Sequence, residues 1–175
     1  MASEKEIIKG CIEGKKKYHK LLFDQYAPIL LPVCLRYGND RQGAEDILQD
    51  SFIKIFEKLQ NYRGEGTLEG WMKRIVVNTA LNHIRAKANY QYHKDVHDLS
   101  DQLPGNEDFR DDLYAKDILN IIQKLPPGYR MVFNLYEIEG YSHKEISEKL
   151  GITENTSKTQ LMKCRRLLRK WFSEY

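Results

Sequence analysis

Within GYSHKEISEKLGITENTSKTQLMKCRRLLRK, residues 140–170, a helix must start, stop and start again. Ser142 stands three residues before Glu145, the spacing at which a serine oxygen and a carboxylate each accept a free N–H of the first turn. Ile146 and Leu150 follow on one face. Gly151 falls where a left-handed residue closes a helix, and Thr153 is placed to cap the next one. Leu161, Cys164, Leu168 and Trp171 recur at steps of three and four and mark the inner face of that second helix. Its other face carries Asn155, Lys158, Thr159, Met162, Lys163 and Arg166. Two helices joined by so short a glycine turn predict a helix-turn-helix, whose second helix enters a DNA major groove. A surface hairpin with a solvated basic face has the same pattern, so the rest of the chain has to decide.

The 175 residues suffice for one ordinary domain or two small ones. Net charge is only +3, and its distribution says more than its sum. Residues 63–94 hold six Lys/Arg against two acids, residues 151–175 again six against two, and residues 93–112 seven acids against two bases. Two basic modules with an acidic stretch between them point to two separate polyanion contacts. Cys11, Cys34 and Cys164 are odd in number and include no CxxC, which disfavours a disulfide framework or zinc ribbon and fits a reducing cytoplasm. The first twenty residues are charged throughout, so no signal peptide is expected; Ile29–Leu35 is too short to span a bilayer and contains Pro32.

Met1–Gly14 reads as a brief helix or a loose end. Residues 15–37 carry Leu21, Leu22, Tyr26, Ile29, Leu30, Val33 and Cys34 at mostly helical spacing. Pro28 and Pro32 inside that run predict a kink or break. Gly38 ends it, and Asn39 or Asp40 starts the next element. Residues 41–59 form the clearest amphipathic helix, with Ala44, Ile47, Leu48, Phe52, Ile55, Phe56 and Leu59 inward. Asp46, Gln49, Asp50 and Ile53 share its opposite face. An isoleucine among carboxylates suits a contact with a basic partner surface, although a lone exposed apolar residue needs no special reason.

NYRGEG, residues 61–66, is a two-glycine loop, and Thr67 caps a helix running to about Gln91. Leu68, Trp71, Met72, Ile75 and Thr79 mark its inner side. Arg74, Asn78, Asn82 and Arg85 line another side at i, i+4, i+8 and i+11. Asparagine amides can read base edges and arginines suit phosphates; a solvated helix face remains the alternative. Residues 88–112 are acidic and polar, contain Pro104-Gly105 and read as a linker. His93 and His97 make at most half a metal site, and no metal, cofactor or catalytic residue is expected. A further helix over 112–124 carries Leu113, Ile118, Ile121 and Ile122, Pro127 suits the first turn of the next, and Val132, Phe133, Leu135 and Tyr136 follow.

The fold class expected is all-α: two small helical domains, an N-terminal helical bundle and a C-terminal helix-turn-helix domain, joined by a flexible acidic linker. The boundaries fall at 1–88, 89–111 and 112–175.

Three segments in this order resemble the extracytoplasmic-function group of bacterial RNA polymerase sigma factors. AEDILQDSFIKIFEKL at 44–59 resembles the polymerase-binding part of region 2. YRGEGTLEGWMKRIVVNTALNHIR at 62–85 resembles the segment that opens and reads the −10 element. LPPGYRMVFNLYEIEGYSHKEISEKLGITENTSKTQLMKCRRLLR at 125–169 resembles region 4, the −35 reader. The resemblance implies that Asp46, Gln49, Asp50 and Ile53 meet the β′ clamp of core RNA polymerase. It implies that Tyr62, Arg63, Gly64, Arg74, Asn78, Asn82 and Arg85 serve −10 recognition, the Tyr62–Thr67 loop receiving a flipped-out base. Holding such a base must offset a few kcal/mol of unstacking. Asn155, Thr156, Lys158, Thr159, Met162, Lys163 and Arg166 then serve the −35 element. Lysines donate to guanine O6 and N7, and Met162 can touch a thymine methyl.

Further partners implied are the β flap, promoter DNA and an anti-sigma factor, with no small-molecule substrate and no membrane insertion. The implied place is the bacterial cytoplasm, at the nucleoid when active, with the inner membrane as a station if an anti-sigma factor holds it there. The linker resembles the group's connector, either a mimic of nucleic acid in a basic channel or a plain tether. Three departures stand out. Ser157 occupies the inner face where the family has an apolar residue, and a bond back to a backbone carbonyl would satisfy it. Gln160 stands where a basic residue is common, and Pro32 is an addition to its helix. The rivals are a dimeric helix-turn-helix repressor or activator, and a nuclease, whose metal-binding carboxylates would have to face DNA. Asp46 and Asp50 lie away from the basic face.

Overall fold

A computed structural model describes residues 2–38, 40–91 and 114–173. Residues 92–111 of the expected linker, with His93 and His97, lie outside the described residues, whereas 89–91 are helical. The chain divides into two compact units, Met1–Lys87 and Ala88–Tyr175. Among the described residues every regular element is helical.

The first unit is built from α1 (Glu4–Ile12), α2 (Lys16–Tyr37), α3 (Arg41–Lys58) and α4 (Leu68–Gln91). α1 is a formed and docked helix. Ser3 and Glu6 close a capping box on it, and Ile7 and Cys11 are buried. It lies close on α2: a Cβ added at Gly10 would sit 2.2 Å from the Tyr18 ring. The Tyr26 hydroxyl donates to Glu4 Oε2 at 3.2 Å, and His19 Nε2 donates to the Cys11 carbonyl at 2.9 Å.

α2 runs unbroken through Pro28 and Pro32, against the expected break. Both prolines are exposed and four residues apart, so they share one outer face, and Asp24, whose carbonyl loses a partner to Pro28, is exposed too. The loss of roughly 3 kcal/mol that an interior proline can impose is limited when the freed carbonyl meets water. The opposite face holds the helix in place through Leu22, Leu30, Val33, Cys34 and Tyr37, all buried. Full burial of each leucine contributes about 1.5–3 kcal/mol. Leu21 and Ile29, expected on that face, are 37% and 39% exposed.

Asp40 caps α3 by accepting from the Gly43 N–H at 2.7 Å. Ala44, Ile47, Leu48, Phe52 and Ile55 are buried as their spacing predicts. Phe52 meets Phe23 at 4.6 Å and Phe56 meets His19 at 4.5 Å between ring centres, so an aromatic row joins α3 to α2.

The second unit comprises α5 (Tyr114–Lys124), α6 (Pro127–Phe133), α7 (His143–Leu150) and α8 (Glu154–Ser173). α6 starts on Pro127 and passes into a wider π turn over Asn134–Ile138. Leu125, Cys164 and Trp171 form a buried cluster, with Ile121, Tyr129, Phe133, Leu167 and Leu168 packed on it. Ile118 is 51% exposed and does not join this core. Arg130 is buried and donates from Nη1 to the Gln123 carbonyl at 3.0 Å, tying α6 to the end of α5.

Candidate functional site

α3 presents Asp46, Gln49 and Ile53 outward, the isoleucine 56% exposed. Asp46 accepts from Gln42 Nε2 at 3.1 Å. Asp50, on the same face, is turned partly toward α4, where its Oδ2 lies 2.6 Å from His83 Nε2.

On α4 the buried surface is broader than the spacing predicts. Leu68, Met72, Val76, Val77, Thr79, Ala80 and Leu81 are all buried, while Ile75 is half-buried. Arg74, Asn78, Asn82 and Arg85 all remain exposed. They form a narrow polar strip along a stretch, residues 72–85, whose other members are buried or half-buried. Trp71, expected inside, is half-buried and rests against Tyr62, ring centres 5.4 Å apart and planes tilted by 52°.

The loop before α4 is closed by its own residues. The Tyr62 hydroxyl donates to the Gly66 carbonyl at 2.9 Å, and Thr67 Oγ1 accepts from the Gly70 N–H at 3.1 Å to cap α4. Gly64 and Gly66 have φ of 74° and 89°, where a side chain would be strained. A Cβ at either would meet nothing within 4 Å, so the loop is open on that side. Arg63 is exposed beside it.

In the helix-turn-helix, Ser142 and Glu145 close the capping box at the start of α7. Gly151 takes φ 68° to end it, and Thr153 Oγ1 accepts from the Thr156 N–H at 3.0 Å to start α8. Asn155, Lys158, Thr159, Met162, Lys163 and Arg166 are exposed on α8, Met162 to 63%. Thr156 is half-buried, its hydroxyl 2.9 Å from that of Thr153, so it serves the cap as well. A cleft of about 340 Å³ lies beside these residues, lined among others by His143, Lys158, Met162, Arg166 and Arg169. Its cationic rim suits phosphate.

The departures from the family pattern have structural answers. Ser157 is fully buried and meets His143 Nδ1 at 2.9 Å, not a backbone carbonyl. Gln160 is half-buried, its side chain 3.1 Å from where a Gly128 Cβ would stand, so it faces α6. Sequence reasoning passed over His83, His143 and the Glu137–Arg165 pair, whose Oε1 and Nη2 lie 2.6 Å apart. Only the i, i+1 neighbourhood of His83 to Asn82 hinted at one of them.

The fold and exposed strips define a two-unit helical protein with a nucleic-acid-binding helix-turn-helix. The Sigma-70 region 2 family matches residues 22–90, and the Sigma-70 region 4 family matches residues 115–168. RNA polymerase sigma factor SigZ of Bacillus subtilis is 31% identical over 153 residues, spanning 85% of this chain and 84% of that protein. The RNA polymerase sigma-H factor of Pseudomonas aeruginosa is 28% identical over 179 residues, spanning 95% and 92%. The ECF RNA polymerase sigma-E factor of Haemophilus influenzae is 26% identical over 178 residues, spanning 95% and 93%. Among solved structures, the sigma factor RpoE of Bartonella quintana, seen with the anti-sigma factor NepR, shares the fold. The TM-score is 0.52 at 20% identity, over 88% of this chain and 96% of that one. The chain belongs to the sigma-70 family, in its extracytoplasmic-function group. It is a promoter-specific initiation factor that binds core RNA polymerase and promoter DNA.

Proposed function

We propose that the chain performs initiation through three surfaces. Asp46, Gln49, Asp50 and Ile53 bind the β′ clamp. Tyr62, Arg63, Gly64, Arg74, Asn78, Asn82 and Arg85 capture the −10 element as single strand. Asn155, Thr156, Lys158, Thr159, Met162, Lys163 and Arg166 read the −35 element in the major groove. The working parts are residues 1–88 and 112–175, with 89–111 as connector.

The observation that carries this reading is the α4 strip. Arg74, Asn78, Asn82 and Arg85 face outward although Val76, Val77, Ala80 and Leu81 between them are buried. Asparagine is a poor helix former, so two of them on one exposed line favour a binding role. Each unit alone binds DNA weakly, and tethering both to polymerase raises their effective concentration. Opening follows from capture of a base in the Tyr62–Thr67 loop and of the strand along α4. The chain supplies binding energy and no catalytic chemistry of its own.

The Bartonella relative is seen with an anti-sigma factor. We extend such a partner to this chain, where it would cover the polymerase face. No described helix is long and apolar enough to cross a membrane, and the cytoplasm is the proposed place of action.

Run-off transcription with core polymerase and genomic fragments tests the assignment. Starts that depend on the added protein are expected. No dependent start together with no binding to core would overturn it. Tight binding of the free protein to a palindromic duplex would favour a dimeric repressor instead.

A further inference from the structure

Asp50 on α3 and His83 on α4 meet with Oδ2 and Nε2 2.6 Å apart. An ionised carboxylate only accepts, so the ring nitrogen carries the hydrogen and donates. One turn further along α3 and one turn back along α4, Lys54 Nζ donates to Thr79 Oγ1 at 3.4 Å. The two contacts are successive rungs of one seam between antiparallel helices. His83 follows Asn82 directly, which turns it about 100° around α4, off the exposed strip and toward α3.

The charge pattern on α3 makes this bond informative. Among the described residues, neither Asp46 nor Asp50 has a lysine or arginine partner. Asp46 is held by an amide and Asp50 by an imidazole. Lys54, a turn from Asp50, is directed to Thr79 instead. The Asp50 side chain stays 49% exposed, so it retains acceptor sites for a second donor. A carboxylate held by one donor and open on its other edge loses less freedom when a cation arrives, which strengthens binding without a new contact.

We infer that His83 is a positioning residue for the polymerase face, holding Asp50 in the rotamer that meets a basic surface of core polymerase. The inference rests on the polymerase role proposed for Asp50. His83 thereby links the polymerase face on α3 to the helix that carries the −10 strip.

Core polymerase affinity of the full-length chain tests this in His83→Ala, His83→Gln, Asp50→Ala and the double variant. Helical content and thermal midpoint are followed alongside. His83→Ala is expected to weaken core binding by roughly 3- to 10-fold, less than the full worth of a hydrogen bond to a charged group because Asp50 itself remains. His83→Gln, whose amide can donate from nearly the same place, should recover most of that loss. The double variant should bind like Asp50→Ala alone, because a residue that acts through Asp50 has nothing left to position. If Asp50→Ala binds core like the wild type, the polymerase assignment of Asp50 fails and this inference with it. If Asp50→Ala weakens binding but His83→Ala does not, only the positioning role fails. The same holds if the two losses add in full. Unchanged core affinity with lost promoter opening at saturating core would make His83 a DNA contact and likewise overturn it.

Discussion

His143 Nδ1 and Ser157 Oγ lie 2.9 Å apart, between the first turn of α7 and the buried side of α8. Tyr136 of the π turn stacks on the same imidazole, ring centres 4.5 Å apart and planes 22° from parallel. One ring thus ties together three elements of the helix-turn-helix unit. Burial first, and then the Lys158 charge, push the His143 pKa below the ordinary imidazole range. A depressed histidine pKa means that the unfolded chain takes up its proton first as pH falls. The stability present above the unfolded value of about 6.5 is therefore lost as pH drops through the folded value. Amide protection factors in α7 and α8, taken relative to the intrinsic exchange rate at each pH, should fall more in the wild type than in His143→Asn on going from about pH 7 to about pH 5. Equal acid slopes in the two proteins would remove His143 as the cause.

Gly10 sets how closely α1 approaches α2. A methyl there meets the Tyr18 ring at 2.2 Å, and the ring must move or the helix must lift. Gly10→Ala should lower stability by about 1–3 kcal/mol, despite the better helix propensity of alanine. Urea unfolding would measure it. An unchanged midpoint would mean that Tyr18 swings away freely.

The Tyr62 hydroxyl closes the loop before α4 on the Gly66 carbonyl. Tyr62→Phe keeps the ring against Trp71 and removes that one bond, worth roughly 0.5–1.5 kcal/mol. Core affinity should stay constant while promoter opening, followed by fluorescence of a base analogue in the −10 element, falls several-fold. Full opening by the variant would dissociate loop closure from base capture.

Lys163 and Gln160 lie three residues apart on α8 and differ in exposure. Lys163 is exposed and lines a cleft with Tyr129 of α6, and Gln160 is half-buried against Gly128 of the same helix. Lys163→Ala should cost about 1–3 kcal/mol at a base-reading contact and relax preference at one −35 position. Gln160→Ala should leave the preference unaltered. Competition among −35 variants for polymerase carrying each protein decides both, and a specificity change in Gln160→Ala would contradict its placement toward α6.

Much of the fold was legible because helix signals are local. The Ser142–Glu145 box, Gly151, Thr153 and the Asp40 cap all formed where the spacing put them. The α3 periodicity found its buried face, and the polar strip of α4 came out exposed as a set. The errors have a common origin. Proline inside α2 argues locally for a break, and packing overrode it: Pro28 and Pro32 face out, while Leu22, Leu30 and Val33 are buried on the other side. Trp71 followed the apolar spacing but lies at the margin, where Tyr62 covers part of it.

The sequence by itself determined the caps that start α3, α7 and α8, which faces of α3, α4 and α8 are polar, and to which family the chain belongs. Those properties reside in windows of a few residues or in motifs read in order. Only the tertiary structure decided the pairings Asp50–His83, Glu137–Arg165 and His143–Ser157, separated by 33, 28 and 14 residues in the chain. A hydrogen bond acts over about 3 Å. Whether two side chains come that close depends on how helices pack and rotate against each other, and no local pattern of residue types encodes that rotation.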